Sequence, residues 1–400
     1  MKSDRNNSKK LLWFALLITG FSCSSDLRDT YKEFIVDAGK IYIGAPDSVF
    51  VEQGFNKLKF NVAINADPKI SKGVLSNLEG TVDHEFDVAR TRSGNDTIHF
   101  ELALEEGEYT FQMVLMDNKG NTSVKREFPA RVLGENYRNS LLSRSIGPLV
   151  EVEDGILINW TPATSNMAYS EIQYLDEFGL ETIMEIANNQ SSTLIDNYLL
   201  GSTLEIRSYY FPILGKMEVF QSNTSELNLP LDRIVPKSPM SFLRLPGDAS
   251  DGCWGSEYSK LLDGTTSTGF WHSCSEPNDL YPWVMSIDLG AAIETTRFKI
   301  DQRPECCGER GPRHFQIWAT NELGSSPTGN LSELGLEVWE NDAESKGWVK
   351  LLDVQDNTDH SPTVNIPSNG RTYKFIRIVG ISSISGETEA NFNEFTFWGK

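Results

Sequence analysis

Between residues 26 and 131 the chain is written in short runs that alternate apolar and polar side chains, such as LKFNVAI (58–64) and YTFQMVLM (109–116). Turn-forming clusters, including DNKGN (117–121), separate the runs, and no long stretch keeps the 3.6-residue period of an amphipathic helix. Alternation with period two buries one face of each strand, so this region predicts a β-sandwich of about a hundred residues. The pattern resumes near Ser145. GILINWTP (155–162), SEIQYLD (170–176) and GSTLEIRSYYFP (201–212) predict a second sandwich, with Trp160 and Tyr209 in its core. LNLPLDRIVPKSP (227–239) carries Pro230, Pro236 and Pro239, each of which removes a ladder donor, and reads as the approach to a linker.

A third β region follows. WVMSIDLG (283–290) sets Trp283, Met285, Ile287 and Leu289 against Ser286 and Asp288, and HFQIWA (314–319) repeats the pattern. YKFIRIVG (373–380) and NEFTFWGK (393–400) supply late strands, expected to pair near the two ends of the domain. Seven of the nine Trp fall in this region, most of them inside alternating strands and therefore core candidates. Trp254 and Trp271 lie instead in turn-rich, Cys-containing segments. Trp271 is read as structural and Trp254 as the candidate for exposure.

The amino terminus interrupts this β pattern. Lys2, Arg5, Lys9 and Lys10 precede the apolar run LLWFALLIT, too short to span a bilayer but of the length of a secretory signal. The run ends in GFSC, which resembles a bacterial lipobox and implies lipidation of Cys23, although Phe21 is bulkier than that motif prefers. The boundaries are then a signal over 1–22, sandwiches over 24–137 and 138–232, a linker over 233–243 and a terminal domain over 244–400.

Charge and cysteine usage narrow the function classes. The whole chain carries a net charge of −20. Without residues 1–22, four basic and one acidic side chain are lost, leaving 32 against 55, or −23. With no basic face, this excludes a nucleic-acid partner. Beyond Cys23 the cysteines are Cys253, Cys274, Cys306 and Cys307, an even set in one region, as in an exported, disulfide-bonded domain. Adjacent Cys306 and Cys307 lack the gap that lets two thiolates share a zinc ion. Three pairings are open. A bond between neighbouring cysteines is strained, so each of Cys306 and Cys307 is expected to pair with Cys253 or Cys274.

Enzyme signatures are missing. The sequence has no GxSxG elbow, no HExxH zinc helix and no phosphate-cradling Gly-rich loop, and three β domains use up the length. Acidic residues are too many to nominate a glycosidase pair. The expectation is a non-catalytic protein.

The order KLLDGTTST, WVMSIDLG, TTRFKIDQRP, HFQIWAT, GWVKLLDV, YKFIRIVG and NFNEFTFWGK resembles the discoidin domain, also called coagulation factor 5/8 type C or galactose-binding-like. That resemblance covers about residues 245–400 and implies an eight-stranded jelly-roll sandwich often used to bind carbohydrate. GILINWTP and its successors resemble a fibronectin type III module. LEEGEYTFQMVLMDNKGNTSV with VLGENYRNSLLSRSI resembles the opening domain of starch-utilisation-type surface glycan-binding lipoproteins of Bacteroidota. Together these imply an all-β chain of two immunoglobulin- or fibronectin-like sandwiches and a discoidin-like domain. They also imply an outer-membrane, lipid-anchored, surface-exposed protein that captures polysaccharide alongside a glycan transporter and surface hydrolases. The competing reading is a structural or adhesive lipoprotein that binds a protein partner.

The resemblance also implies site residues. A structural calcium is held in the discoidin family by carbonyls and side chains at the spacing of KLLDGTTST. This implies the Lys260 carbonyl, Asp263, the Thr265 carbonyl and Thr268, with Glu394 as the distant acidic ligand. Without the family, Asp263 and Gly264 read as a turn and Glu394 as a solvated strand charge. Galactose-binding members place a His after the first motif's Trp and an Arg at a strand end, implying His272 in FWHS and Arg303 in DQRP. Arg310 falls where a further polar contact would sit. Ser275 stands where some sugar binders carry the stacking aromatic, a place that Trp254 or Tyr281 could fill. Read locally, Arg303 pairs with Asp301 or Glu305 and His272 is satisfied by its neighbours. Polar loops such as SCSEPND and PECCGERGPR suit a sugar better than a hydrophobic partner.

Overall fold

A computed structural model describes residues 42–303, 307–324 and 329–400. The signal segment, Cys23, Glu305 and Cys306 lie outside the described residues. The chain is all-β, built from sheets packed face to face. It divides into two compact units, one running to Arg138 and including Pro212–Glu218, the other comprising Asn139–Phe211 and Val219–Lys400.

In the first unit, Pro46–Gly54, Lys57–Ile64 and Asp96–Ala103 form one antiparallel sheet, and Asp83–Asp87, Ile70–Asn77, Gly107–Asp117 and Arg126–Val132 form the other. The alternation in LKFNVAI is realised residue by residue: Leu58, Phe60, Val62 and Ile64 are fully buried, with partly exposed side chains between them. Phe60 and Phe111 meet edge to face at 5.5 Å across the core.

The second unit opens with a smaller sandwich. Glu181–Ala187, Met167–Leu175, Thr203–Tyr210 and Phe220–Gln221 face Ser192–Ile195, Gly155–Asn159 and Val150–Val152. Trp160 is buried and donates from Nε1 to Thr193 Oγ1 at 2.8 Å. Tyr209 does not join it. In Thr203–Tyr210 the buried positions are Leu204, Ile206, Ser208 and Tyr210, so period two turns Tyr209 to the opposite face, where it stacks on Tyr169 at 4.5 Å.

The rest of this unit is a second sandwich. One sheet orders Arg233–Ile234, Glu394–Gly399, Thr295–Asp301 and Thr363–Asn365. The other orders Ser241–Phe242, Trp283–Ile293, Tyr373–Ser383, Pro312–Thr320 and Val349–Val354. The two late strands thus lie inside different sheets rather than pairing at the ends. Between the sheets sit Trp283, Phe298, Phe315, Ile376, Phe395 and Phe397.

The segment 233–243 is not a free linker. Arg233 and Ile234 pair with Gly399 and Trp398, Ser241 and Phe242 pair with Asp288 and Ile287, and the Lys237 N–H donates to Glu153 Oε1 at 2.7 Å. Prolines 236 and 239 cost only their own donors, and the residues on either side of them, 233–234 and 241–242, still pair. Arg297 adds a second tie between the sandwiches, bonding Asp232 at 2.5 Å and Glu151 at 2.8 Å while its guanidinium lies 4.5 Å from the Trp398 ring.

One helix falls outside the period-two reading. Leu336–Ser345 covers the outer face of the five-stranded sheet, burying Trp339 and Ala343 against Trp318, Trp348 and Val379. That cover explains why Pro312–Thr320 is buried on both faces from Phe315 onward. The helix is short, and its exposed Val338 blurs the apolar stripe.

Candidate functional site

At one end of the last sandwich, loops from four parts of the chain are fastened together. Asp279, 1% exposed, accepts from Ser250 N at 2.6 Å, Ser250 Oγ at 2.5 Å and Cys274 N at 3.1 Å. Beside this clamp, Cys253 and Cys274 are bonded to each other. This overturns the expectation that each pairs with Cys306 or Cys307. The physical reason is local: Cys253 N donates to His272 O at 3.0 Å, which brings the two Cα atoms to 5.2 Å, well inside disulfide range. Cys307 is itself disulfide-bonded.

The clamp and the bond hold Trp254 in an unusual state. Its backbone is left-handed, with φ 66°, and its side chain is 81% exposed. A bulky residue rarely adopts this conformation, which costs of order 1 kcal/mol or more and persists only where its surroundings enforce it. Trp271, by contrast, is fully buried between Tyr258 and Phe392.

Three of the sequence-predicted residues converge. Tyr281 Oη donates to the Arg310 carbonyl at 2.8 Å, and Arg310 Nη1 lies 3.2 Å from His272 Nε2. Since a guanidinium only donates, His272 Nε2 must accept, and Nδ1 carries the proton given to Ser273 O at 2.7 Å. The two contacts together fix the orientation of the imidazole ring. Burial pushes the Tyr281 hydroxyl far above its ordinary value, so it stays a neutral donor. Arg303 takes a different neighbour, its guanidinium lying 4.0 Å from the Phe270 ring.

Three participants escaped the sequence reading. Glu387 Oε2 accepts from Arg310 Nε at 2.8 Å, Glu389 Oε2 lies 2.7 Å from Arg310 Nη1, and Phe270 supports Arg303. No local signal marks the two acids, which are remote in sequence from the arginine they hold. Phe270 is itself the first residue of FWHS, so its aromatic ring was legible in the motif although its role beside Arg303 was not.

The predicted calcium loop has a different character. After the short helical turn Tyr258–Leu262, Asp263 Oδ1 accepts from Thr265 N at 3.0 Å. Thr265 Oγ1 lies 2.9 Å from both Asp263 Oδ1 and Thr268 O, and Lys260 Nζ is 3.7 Å from Asp263 Oδ2. Glu394 is not a solvated charge: it is 1% exposed. Its Oε1 receives Lys237 Nζ and the Gly264 N–H, the latter at 3.4 Å, while Oε2 has no partner. Asn393 donates to Thr266 O at 3.0 Å, and its own Oδ1 is also buried and unpartnered. Burial pushes the Glu394 carboxyl up to about 7 against the pull of the Lys237 ammonium. Two orphaned acceptor oxygens beside a carbonyl-rich turn suit a hard cation. Among the described residues no three His, Cys, Asp or Glu side chains are grouped to hold a metal, so such an ion would draw mainly on carbonyls and amides.

Two family models match the chain, each described as a domain of unknown function: DUF4998 over residues 23–219 and DUF5000 over residues 260–399. No curated protein sequence matches it. Solved structures similar to it include the SusE-like protein BT2857, at 16% identity and a TM-score of 0.35, covering 65% of this chain and 98% of that one. Another is the family 32 carbohydrate-binding module of NanJ from C. perfringens, in complex with galactose, at 17% identity and a TM-score of 0.31, covering 42% and 98%. A third is a CBM32 module from a family 31 glycoside hydrolase of Clostridium perfringens, at 12% identity and a TM-score of 0.31, covering 42% and 95%.

Proposed function

We propose that the chain is a non-catalytic, lipid-anchored surface protein that captures polysaccharide through the loop end of its last sandwich. The observation that carries this reading is Trp254: an exposed ring, held in a disfavoured backbone conformation by a disulfide and a buried carboxylate, beside a hydrogen-bonding cluster. A pyranose presents an apolar face to stack on an indole and hydroxyls that need partners once they leave water, and Arg303 and Arg310 are donors of that kind, with His272 helping to orient Arg310. An adhesive surface for a protein partner would expose several large apolar side chains. Among the described residues of these loops, Trp254 is the one large apolar side chain exposed.

In this reading the lipid on Cys23 attaches the protein to the outer membrane, and the sandwiches carry the binding end outward to partner transporters and hydrolases. Weak single sites would gain from repeated contacts along one polymer. Calcium belongs to the same proposal as a structural ion, held by Glu394, Asp263 and the Lys260, Thr265 and Thr268 oxygens, where it would neutralise buried negative charge.

Affinity gels and a glycan array with the chain from residue 24 test the proposal. Retardation by at least one polysaccharide is expected, lost in Trp254→Ala and weakened in His272→Ala and Arg303→Ala. Unchanged retardation in all three variants moves the site elsewhere, and release of reducing ends by the purified protein overturns the non-catalytic reading.

A further inference from the structure

Lys237 belongs to the segment that sequence assigns to a linker, yet its ammonium is nearly buried. Its side chain is 11% exposed, and Nζ contacts Glu394 Oε1 and lies 3.3 Å from Thr396 Oγ1. The main chain around it is anchored independently of that contact. The Lys237 N–H is held by Glu153, Val235 N donates to Phe397 O at 2.8 Å, and Met240 N donates to Lys237 O at 2.9 Å. The side chain can therefore leave Glu394 without the segment undocking. It also borders a groove of about 570 Å³ whose lining includes Phe242, Arg244, Tyr258 and Asp263, which offers the ammonium a wet place to go and an ion a way in.

We infer that Lys237 is a tethered counter-ion for Glu394, and that a calcium ion binds at Glu394 only by displacing the Lys237 ammonium. The reason is electrostatic. Glu394 is the one acidic side chain buried at this point, and a divalent ion on its free oxygen would stand within a few ångströms of a unit positive charge on the other, in surroundings that screen poorly. Glu394 and Asp263 bring two negative charges between them, whereas a divalent ion together with the ammonium would bring three positive ones. The inference rests on the calcium reading above and adds to it a built-in competitor, so the metal-free protein keeps a neutralised core and calcium affinity is held down.

The test is calorimetric titration with calcium chloride, plus thermal melts with and without calcium, on the EDTA-dialysed chain from residue 24. Lys237→Met is expected to bind calcium at least tenfold more tightly than the parent, to melt lower in EDTA, and to recover with millimolar calcium. Lys237→Arg, which keeps the cation, should stay as weak as the parent, and Asp263→Ala should lose binding in either background. Lys237→Gln replaces Lys237→Met should the latter not fold. Equal affinity in the parent and the neutral variants overturns the exchange while leaving the calcium reading standing. No binding by any variant overturns both.

Discussion

Arg377 and Arg310 sit in the same sandwich, and acceptors from distant parts of the chain hold both, yet their surroundings are opposite. Arg377 is 1% exposed and lies 4.4 Å from the Trp348 ring and 5.8 Å from that of Trp339. Its Nε bonds Ser286 Oγ at 2.9 Å, and Nη2 lies 3.7 Å from Asp248 Oδ1. Burial pushes the Asp248 carboxyl up to about 6. Arg310 is partly open to solvent, and two half-exposed glutamates and a histidine hold it at the loop end. The first arginine completes a core that would otherwise hold an unpaired charge. The second is oriented at low cost where a ligand can reach it. Burial of the counter-charge, rather than the number of bonds, separates the core arginine from the open one here.

The largest effect should come from breaking the buried side of this pair. Arg377→Leu strands Asp248 and is expected to cost about 3–5 kcal/mol in urea unfolding, a value typical of a buried pair losing one partner. A loss under about 1 kcal/mol would place Arg377 with Arg310. Next, removing the loop tie with Cys253→Ser and Cys274→Ser together should lower stability by about 3 kcal/mol, for a loop closed over a sequence separation of 21, and weaken glycan retention as well. Full retention in that double variant would mean that Asp279 alone positions Trp254.

A pH series sharpens the comparison further. Asp248 and Glu394 both titrate above their ordinary values of 3.8 and 4.5, so the folded protein favours their protonated forms. Stability is therefore greatest at low pH with respect to these two groups. It falls as pH rises through about 6 for Asp248 and about 7 for Glu394. Asp248→Asn should flatten the lower part of that fall in melts from pH 4 to 8, and an unchanged slope would assign it to other groups. The smallest stability effects belong to the open end. Trp254→Ala should lose about tenfold in glycan affinity, roughly 1.4 kcal/mol, and Arg310→Ala should cost under about 1 kcal/mol of folding stability. Both are read from binding isotherms beside denaturation curves.

Much of this protein was legible from period-two patterning alone. The strand at 58–64, the buried Trp160 and Trp283, and the three successive β regions follow from which side chains must leave water, a demand that each strand states locally. The same logic explains the misses. Tyr209 and Tyr210 are neighbours of equal hydrophobic value, and only the register of Thr203–Tyr210 against its partners decided which faced inward. The prolines of 230–239 read as a linker because sequence shows their missing donors but not the short strands Arg233–Ile234 and Ser241–Phe242 that pair on either side of Pro236 and Pro239. Trp254 could be nominated from its turn-rich setting, but His272, Arg303 and Arg310 only through the resemblance of the terminal region to the discoidin domain. Tertiary structure alone decided that Cys253 bonds Cys274, that Glu387 and Glu389 orient Arg310, and that Lys237 neutralises Glu394. Hydrophobic burial is a property each residue carries with it, whereas charge pairing and cross-linking depend on which distant groups arrive within a few ångströms, and only the folded chain settles that.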